Sequence, residues 1–274
     1  MAANQYLLNE LIASGLDRRE ARWLVEEFSP VTDHERLEAL RAAALRRLSG
    51  EPLQYVLGHW PFRSLDLDVD PRVLIPRPET EELVGVALEV LASRAVTAPL
   101  IVDLGCGSGA IGLSLLFELR ERGVDASVIC VDTSSDALDV ARQNAHKHDL
   151  TALSFVRSWW FDDLDPTLRG SIDLIVANPP YVAAAEYAVL DPIVSFEPLI
   201  AIVAEDCARA PGFADLARII AQSPSWLSTN GALVCEHGNM QRDAVIDAAH
   251  EALFAEVEDR DDVFSNPRIL VARR

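Results

Sequence analysis

From Leu100 onward, short, mostly apolar runs alternate with stretches whose apolar residues recur at helical spacing, and few folds satisfy that pattern. The runs are Leu100 to Leu104, Ser127 to Val131, Ser154 to Arg157 and Ile172 to Ala177, with helices expected from about Ala110 and about Ser135. A strand that is apolar on both faces must be covered on both, so the expectation is an α/β fold with a parallel sheet between two helical layers. Further runs at Ala232 to Glu236, Ala255 to Glu258 and Ile269 to Ala272 would complete the sheet.

The first part of the chain follows another pattern. Residues 4 to 50 read as helices, with Asn4, Asp17 and Asp33 as N-caps, Gly50 as a C-terminal cap, and Leu37, Leu40, Ala44 and Leu48 on one face of the third helix. From Phe62 to Val69 apolar and polar residues mostly alternate, which predicts a half-buried strand or hairpin. Pro76 and Pro78 bracket Arg77 and should hold an extended entry into a helix from Glu79 to about Leu91. The expected organisation is a helical unit over 1–58, a hairpin or linker over 59–78 and a sheet domain over 79–274. The stretch from Val182 to Gly212 is the least regular and sits where a substrate-covering loop would be useful.

Half of the 274 residues are apolar, enough for a large core. The formal charge of −19 is uneven: nine basic residues face twelve acidic ones up to position 75, so −16 lies beyond it. Such a surface repels phosphate backbones, and a protein partner with a basic face fits better than nucleic acid. With no apolar run of about 18 residues and no basic leader, a cytoplasmic protein without membrane association is expected. A monomer is expected. Cys106, Cys130, Cys207 and Cys235 lack the paired spacing of a zinc site and read as reduced core or near-core thiols, and no metal is expected.

Two motifs carry chemistry. The first is Asp103-Leu104-Gly105-Cys106-Gly107-Ser108-Gly109, a strand end followed by three spaced glycines and a helix. Glycines there permit positive φ and close approach of backbone to a ligand, and exposed amides would favour an anionic group. A ligand-free turn and dinucleotide binding both remain open on this loop alone. The next strand ends in Asp132, placed either to accept the two hydroxyls of a ribose or to cap the following helix. Trp159 and Trp160 follow the third sheet strand, where an adenine ring would lie. Adjacent residues on an extended segment point to opposite sides, so one of them, Trp160 by preference, should stack on the base.

The second motif, Asn178-Pro179-Pro180-Tyr181, begins 75 residues after Asp103 at the end of an apolar run. An amide or exocyclic amine is a poor nucleophile because its nitrogen lone pair is delocalised. A catalyst must aim acceptors at its N–H groups and turn the lone pair toward an electrophile. Asn178 can offer its side-chain oxygen and Pro179 its backbone carbonyl, held rigid by consecutive prolines, while Tyr181 offers a flat face to a planar group. In order on successive strands, glycine loop, Asp132 and clamp point to methyl transfer onto nitrogen, with no general base required.

These motifs, together with Leu74-Ile75-Pro76-Arg77-Pro78-Glu79-Thr80-Glu81, Ser195-Phe196-Glu197-Pro198 and Glu236-His237-Gly238, make the chain resemble the peptide-chain release factor glutamine methyltransferases, the PrmC/HemK family, over nearly its whole length. The resemblance implies a class I S-adenosylmethionine-dependent methyltransferase, Rossmann-like with a mostly parallel seven-stranded sheet and a small helical N-terminal domain. It implies S-adenosylmethionine as donor, S-adenosylhomocysteine as product, and as substrate the glutamine of the Gly-Gly-Gln loop of class 1 release factors. By position in the motifs, Gly105, Cys106, Gly107, Ser108, Gly109, Asp132, Trp160 and Asn178 would hold the donor. Asn178, Pro179, Pro180 and Tyr181 would hold the glutamine, with Asn178, Pro179 and Tyr181 acting in catalysis.

The chain departs from the pattern at Trp159, where many relatives have an acidic residue, and at Cys207 to Gly212. Arg77, Glu79 and Glu197 could order the pocket or form structural ion pairs, and His237 reads as a structural histidine. Arg36, Arg41, Arg46 and Arg47 form a solvated helix face that could meet acidic patches on a partner. Rival activities are glutamine methylation of a ribosomal protein, adenine methylation of flipped-out DNA, and donor binding without catalysis.

Overall fold

The computed structural model describes residues 2–29, 34–94 and 96–274. Helices α1 (Ala2–Ala13), α2 (Arg18–Glu27), α3 (His34–Leu48) and the short α4 (Leu53–Leu57) come first. They close on a core of their own built from Leu7, Leu11, Leu24, Leu40 and Val56. Asp17 caps α2 by accepting from the Arg19 amide at 2.7 Å, and Gly50 turns the chain after α3 at φ 99°. Asn4 is no cap: α1 already runs through it, and its side-chain amide donates to Ser29 Oγ at 2.7 Å. Asp33 lies outside the described residues. On α3 the buried face is Leu40, Ala43 and Ala44 rather than a stripe reaching Leu48, which is exposed.

A hairpin of β1 (His59–Phe62) and β2 (Leu65–Asp68) follows, starting three residues before the alternating stretch because exposed Pro61 masks the first strand. Arg63, at φ 50° in its two-residue turn, pairs with Glu118 and donates to the Glu81 carbonyl at 2.9 Å. That arginine staples the hairpin to α5 (Pro78–Ser93) and α6 (Ala110–Glu121).

Beyond α5 the chain alternates as expected: β3 (Leu100–Leu104), α6, β4 (Ser127–Asp132), α7 (Ser135–Lys147), β5 (Leu153–Arg157), β6 (Ile172–Ala177), α8 (Ala184–Tyr187), α9 (Ala214–Gln222), β7 (Leu227–Glu236), α10 (Arg242–Glu251), β8 (Glu256–Asp261) and β9 (Pro267–Arg273). The seven-stranded sheet has the order β5-β4-β3-β6-β7-β9-β8, parallel except for β9, which is antiparallel to both its neighbours. Its inner strands bury side chains on both faces. Ile101, Cys130, Val176 and Val234 pack under α5, α6 and α7, while Val102, Val131, Ile175 and Leu233 pack under α9 and α10. Chain order reverses between β3 and β6, and at such a switch point the loops after neighbouring strands part and leave a crevice.

Candidate active site

The crevice is a cavity of about 590 Å³, within the range of small-molecule sites, at the carboxyl ends of β3, β4, β5 and β6. Gly105, Gly107, Asp132, Trp160, Asn178 and Pro180 line it together with Trp159. The sequence-predicted residues Cys106, Ser108, Gly109, Pro179 and Tyr181 are not on its wall.

The glycine loop is shaped by its own hydrogen bonds. The amides of Gly105 and Cys106 donate to the Val131 carbonyl at 2.8 and 2.9 Å, and that of Gly109 to the Cys106 carbonyl at 2.8 Å. Gly107 N donates to Asp132 Oδ2 at 2.9 Å. The expectation of a set of exposed amides awaiting an anion is therefore corrected: most are engaged within the fold, which argues against a phosphate-bearing dinucleotide. What the loop offers is bare backbone. Gly105 sits at φ 71°, and a Cβ there would come within 3.2 Å of the Trp160 ring. Gly109 starts α6 at φ 84° against Leu113, and the Ser108 carbonyl is held at 2.9 Å by buried Asn144, which also binds both backbone groups of Asp68. Cys106 packs in the core with Cys130.

Asp132 is not the cap of α7; Ser134 is, accepting from the Ala137 amide at 3.2 Å. The Asp132 carboxylate instead joins two amides, Gly107 N and Ser134 N, each at 2.9 Å, and keeps further lone pairs toward the cavity. Burial raises its pKa, against the lowering effect of those amides.

Beneath the loop Asp103 is fully buried, with Oδ2 accepting from Gly112 N at 2.8 Å and Oδ1 without a partner among the described residues. Burial, ahead of every other influence, pushes its pKa up to about 7. A carboxyl whose pKa is higher folded than unfolded stabilises the fold below the unfolded pKa, and that contribution is lost as pH rises through about 7. Asp103→Asn keeps an acceptor for Gly112 and cannot ionise. With no ligand added, its melting temperature should gain on wild type between pH 5 and pH 8, corresponding to at most ~3 kcal/mol. Thermal melts at both values check this, and a gap that fails to widen contradicts it.

Trp159 and Trp160 both face the cavity, their ring centroids 6.2 Å apart at 66°. The expected alternation fails because Trp160 takes φ 54°, which turns both rings to one side. Trp160 is the buried, fixed member, its indole N–H donating to Asp215 Oδ1 at 2.9 Å, while Trp159 is 42% exposed. Position 159 itself bears no carboxylate, but Asp215, bonded to Trp160, and Glu205 place two on the cavity wall. Part of the wall is the irregular segment after the clamp: Pro198, Ile200, Ala201 and Val203 line the cavity, and Val182 bridges Val203. Glu197 is buried, accepting from Ile75 N at 2.9 Å and pairing with half-buried Arg77 at 2.5 Å, which makes them a structural ion pair.

At the clamp, Asn178 Nδ2 donates to Thr80 Oγ1 at 3.0 Å, and Thr80 Oγ1 to Glu236 Oε2 at 2.8 Å. Tyr181 donates its hydroxyl to Glu236 Oε1 at 3.1 Å, with Arg268 over its ring. Burial raises the tyrosine's pKa, so the hydroxyl keeps its proton. The expected stacking face for a planar group is thus not part of the cavity wall; the ring holds Glu236 instead. No donor among the described residues reaches the Pro179 carbonyl or Asn178 Oδ1. His237 is buried between Asp259, at 2.9 Å, and the Gly238 carbonyl, as a structural histidine.

Sequence reasoning assigned no role to Thr80, Glu236, Asn144, Asp215 or Gln241. One signal was available: Glu236 ends the apolar run Ala232 to Cys235 with a charge at the carboxyl edge of a central strand.

The model of the Methyltransferase small domain family matches residues 85–195. A release factor glutamine methyltransferase of Haemophilus influenzae is 40% identical, covering 84% of this chain and 78% of that one. Those of Pasteurella multocida (37%; 94% and 87%) and Escherichia coli (36%; 97% and 95%) align over more. Among solved structures, the N-terminal domain of human METTL16 in complex with SAH superposes with a TM-score of 0.54 at 16% identity, covering 89% of this chain and 83% of that one. The 16S rRNA N2 G1207 methyltransferase of T. Thermophilus, with AdoMet and guanosine, does so at 0.54 and 17%, covering 79% and 49%. At such identities the superpositions speak for the fold.

Proposed function

The chain belongs to the family of release factor glutamine methyltransferases, and on that premise we propose that it methylates the side-chain amide nitrogen of the glutamine in the Gly-Gly-Gln loop of class 1 peptide chain release factors. Its fold is the Rossmann-like one of class I methyltransferases, and its methyl donor is S-adenosylmethionine. The cavity suits that donor: bare backbone at Gly105 and Gly107 for close approach, the Asp132 carboxylate for ribose hydroxyls, and tryptophan faces for a flat base. When bound, the donor supplies a methyl group on a sulfonium, already activated for transfer.

The observation that carries the reading is the pair of oxygens after β6. Asn178 Oδ1 and the Pro179 carbonyl are acceptors without a donor among the described residues, on backbone that two prolines stiffen beside the cavity. Two acceptors hold the two N–H bonds of a carboxamide and set its nitrogen lone pair across the cavity. Positioning, with no base, is what the chain contributes; the proton leaves to solvent once the nitrogen has been alkylated. In this reading residues 1–58 meet the release factor, 59–78 connect, and 79–274 perform transfer, in a cytoplasmic monomer that uses neither nucleic acid nor membrane.

Incubation with purified release factor and donor, read by peptide mass spectrometry, should add one methyl group to the loop glutamine and none when that glutamine is replaced. Methylation of duplex DNA or of a ribosomal protein in its place would overturn the assignment.

A further inference from the structure

A carboxamide clamp has a polarity problem. The two ends of the Asn178 side chain are nearly equal in size, yet only the oxygen can accept from a substrate N–H; the nitrogen, turned the same way, would repel it. The chain must choose one orientation, and Asn178 cannot choose for itself.

The geometry points to Thr80 and Glu236 as a positioning relay that fixes this choice: Glu236 directs the Thr80 hydroxyl proton toward itself, so that Thr80 accepts from Asn178 Nδ2 and leaves Oδ1 for the substrate. This rests on the function proposed above and assigns it two residues with no established role. Burial raises the pKa of Glu236, while the Thr80 hydroxyl, the Arg268 charge and the Tyr181 hydroxyl act the other way; both carboxylate oxygens receive, from Thr80 at 2.8 Å and from Tyr181 at 3.1 Å. The single hydroxyl proton of Thr80 is thereby committed, and at 3.0 Å from Asn178 its oxygen can only receive. Solvent cannot scramble the arrangement, since Thr80 is 3% and Glu236 1% exposed. The three residues come from separate elements, the first turn of α5 and the ends of β6 and β7, so α5 must be docked before the clamp is set. The second oxygen of Glu236 is occupied through Tyr181, whose hydroxyl lies 3.4 Å from Arg268 Nη1. Tyr181 therefore serves the clamp from behind.

Thr80→Val removes the hydroxyl at constant shape, Thr80→Ser keeps it, and Glu236→Gln keeps the shape but can donate toward Thr80, permitting the inverted order. Methyl transfer to release factor, donor affinity by calorimetry and thermal melts are measured for all three beside wild type. Thr80→Val and Glu236→Gln should lower kcat by about 10- to 100-fold with KM and donor Kd within about threefold, whereas Thr80→Ser stays near wild type. Side-chain amide NMR reads the orientation without substrate: slow exchange of an Asn178 Nδ2 proton in wild type and Thr80→Ser, lost in Thr80→Val. If Thr80→Val melts too early to assay, Glu236→Gln and the NMR signal of Thr80→Ser decide. Wild-type kcat in a folded Thr80→Val or Glu236→Gln, or equal losses in Thr80→Ser and Thr80→Val, would overturn the relay. Failure of wild type to methylate release factor would overturn the function instead, with the NMR comparison still testing the relay.

Discussion

Asn178→Ala will lower kcat by about 10²- to 10³-fold while donor Kd changes less than about threefold, because the lost oxygen meets the substrate amide as it becomes a nucleophile. Asn178 reaches the cavity from the end of β6, whereas the glycine loop, Asp132 and Trp160 are held by bonds that do not pass through it: Val131 to the loop, Ser134 to Asp132, Asp215 to Trp160. The donor side should survive the change. The truncation also leaves Thr80 Oγ1 without its donor, so a modest loss of stability is expected alongside. Single-turnover transfer set against calorimetric titration with S-adenosylmethionine separates the effects. Equal losses in both would mean that residue 178 holds the donor and not the amide.

The second large effect is expected at Asp132. Asp132→Ala removes the acceptor for Gly107 N as well as the carboxylate offered to the ribose, so shape and charge are lost together. Donor Kd should rise about 10- to 100-fold, as for loss of hydrogen bonds to a charged group, while kcat at saturating donor falls far less. Asp132→Asn divides the two roles, since its oxygen can still receive from Gly107. A Kd for Asp132→Asn between those of wild type and Asp132→Ala is the outcome that fits; an unchanged Kd in both variants would remove Asp132 from the donor site.

The sheet was legible because its inner strands are mostly apolar on both faces: β3 and β6 occupy the runs read from the sequence, the glycines follow β3 and Asp132 ends β4. The single antiparallel strand was not, since nothing in Ile269 to Ala272 states its direction. Site residues legible in sequence were those that act through backbone shape or a strand end. Those that act through distant partners were hidden: Thr80 meets Asn178 98 positions away and Glu236 156 away. Trp159 and Trp160 were misjudged for a local reason, a left-handed turn at a tryptophan, which side-chain alternation does not anticipate. Asn4 illustrates the converse, a good capping residue type that tertiary contact with Ser29 uses otherwise.

The cavity wall contributed by the segment after the clamp is tied at its base. Val182 and Val203 pair, Gln241 Nε2 donates to the carbonyls of Tyr181, Pro211 and Gly212, and Glu197 fastens the segment to Ile75 and Arg77. Gly212 is required there, since a Cβ would come within 2.5 Å of the Tyr181 carbonyl. With its stem secured, displacement of the outer stretch 184–195 need not pull on Asn178 or Pro179. A substitution in that outer stretch is thereby insulated from the strand end that carries Asn178.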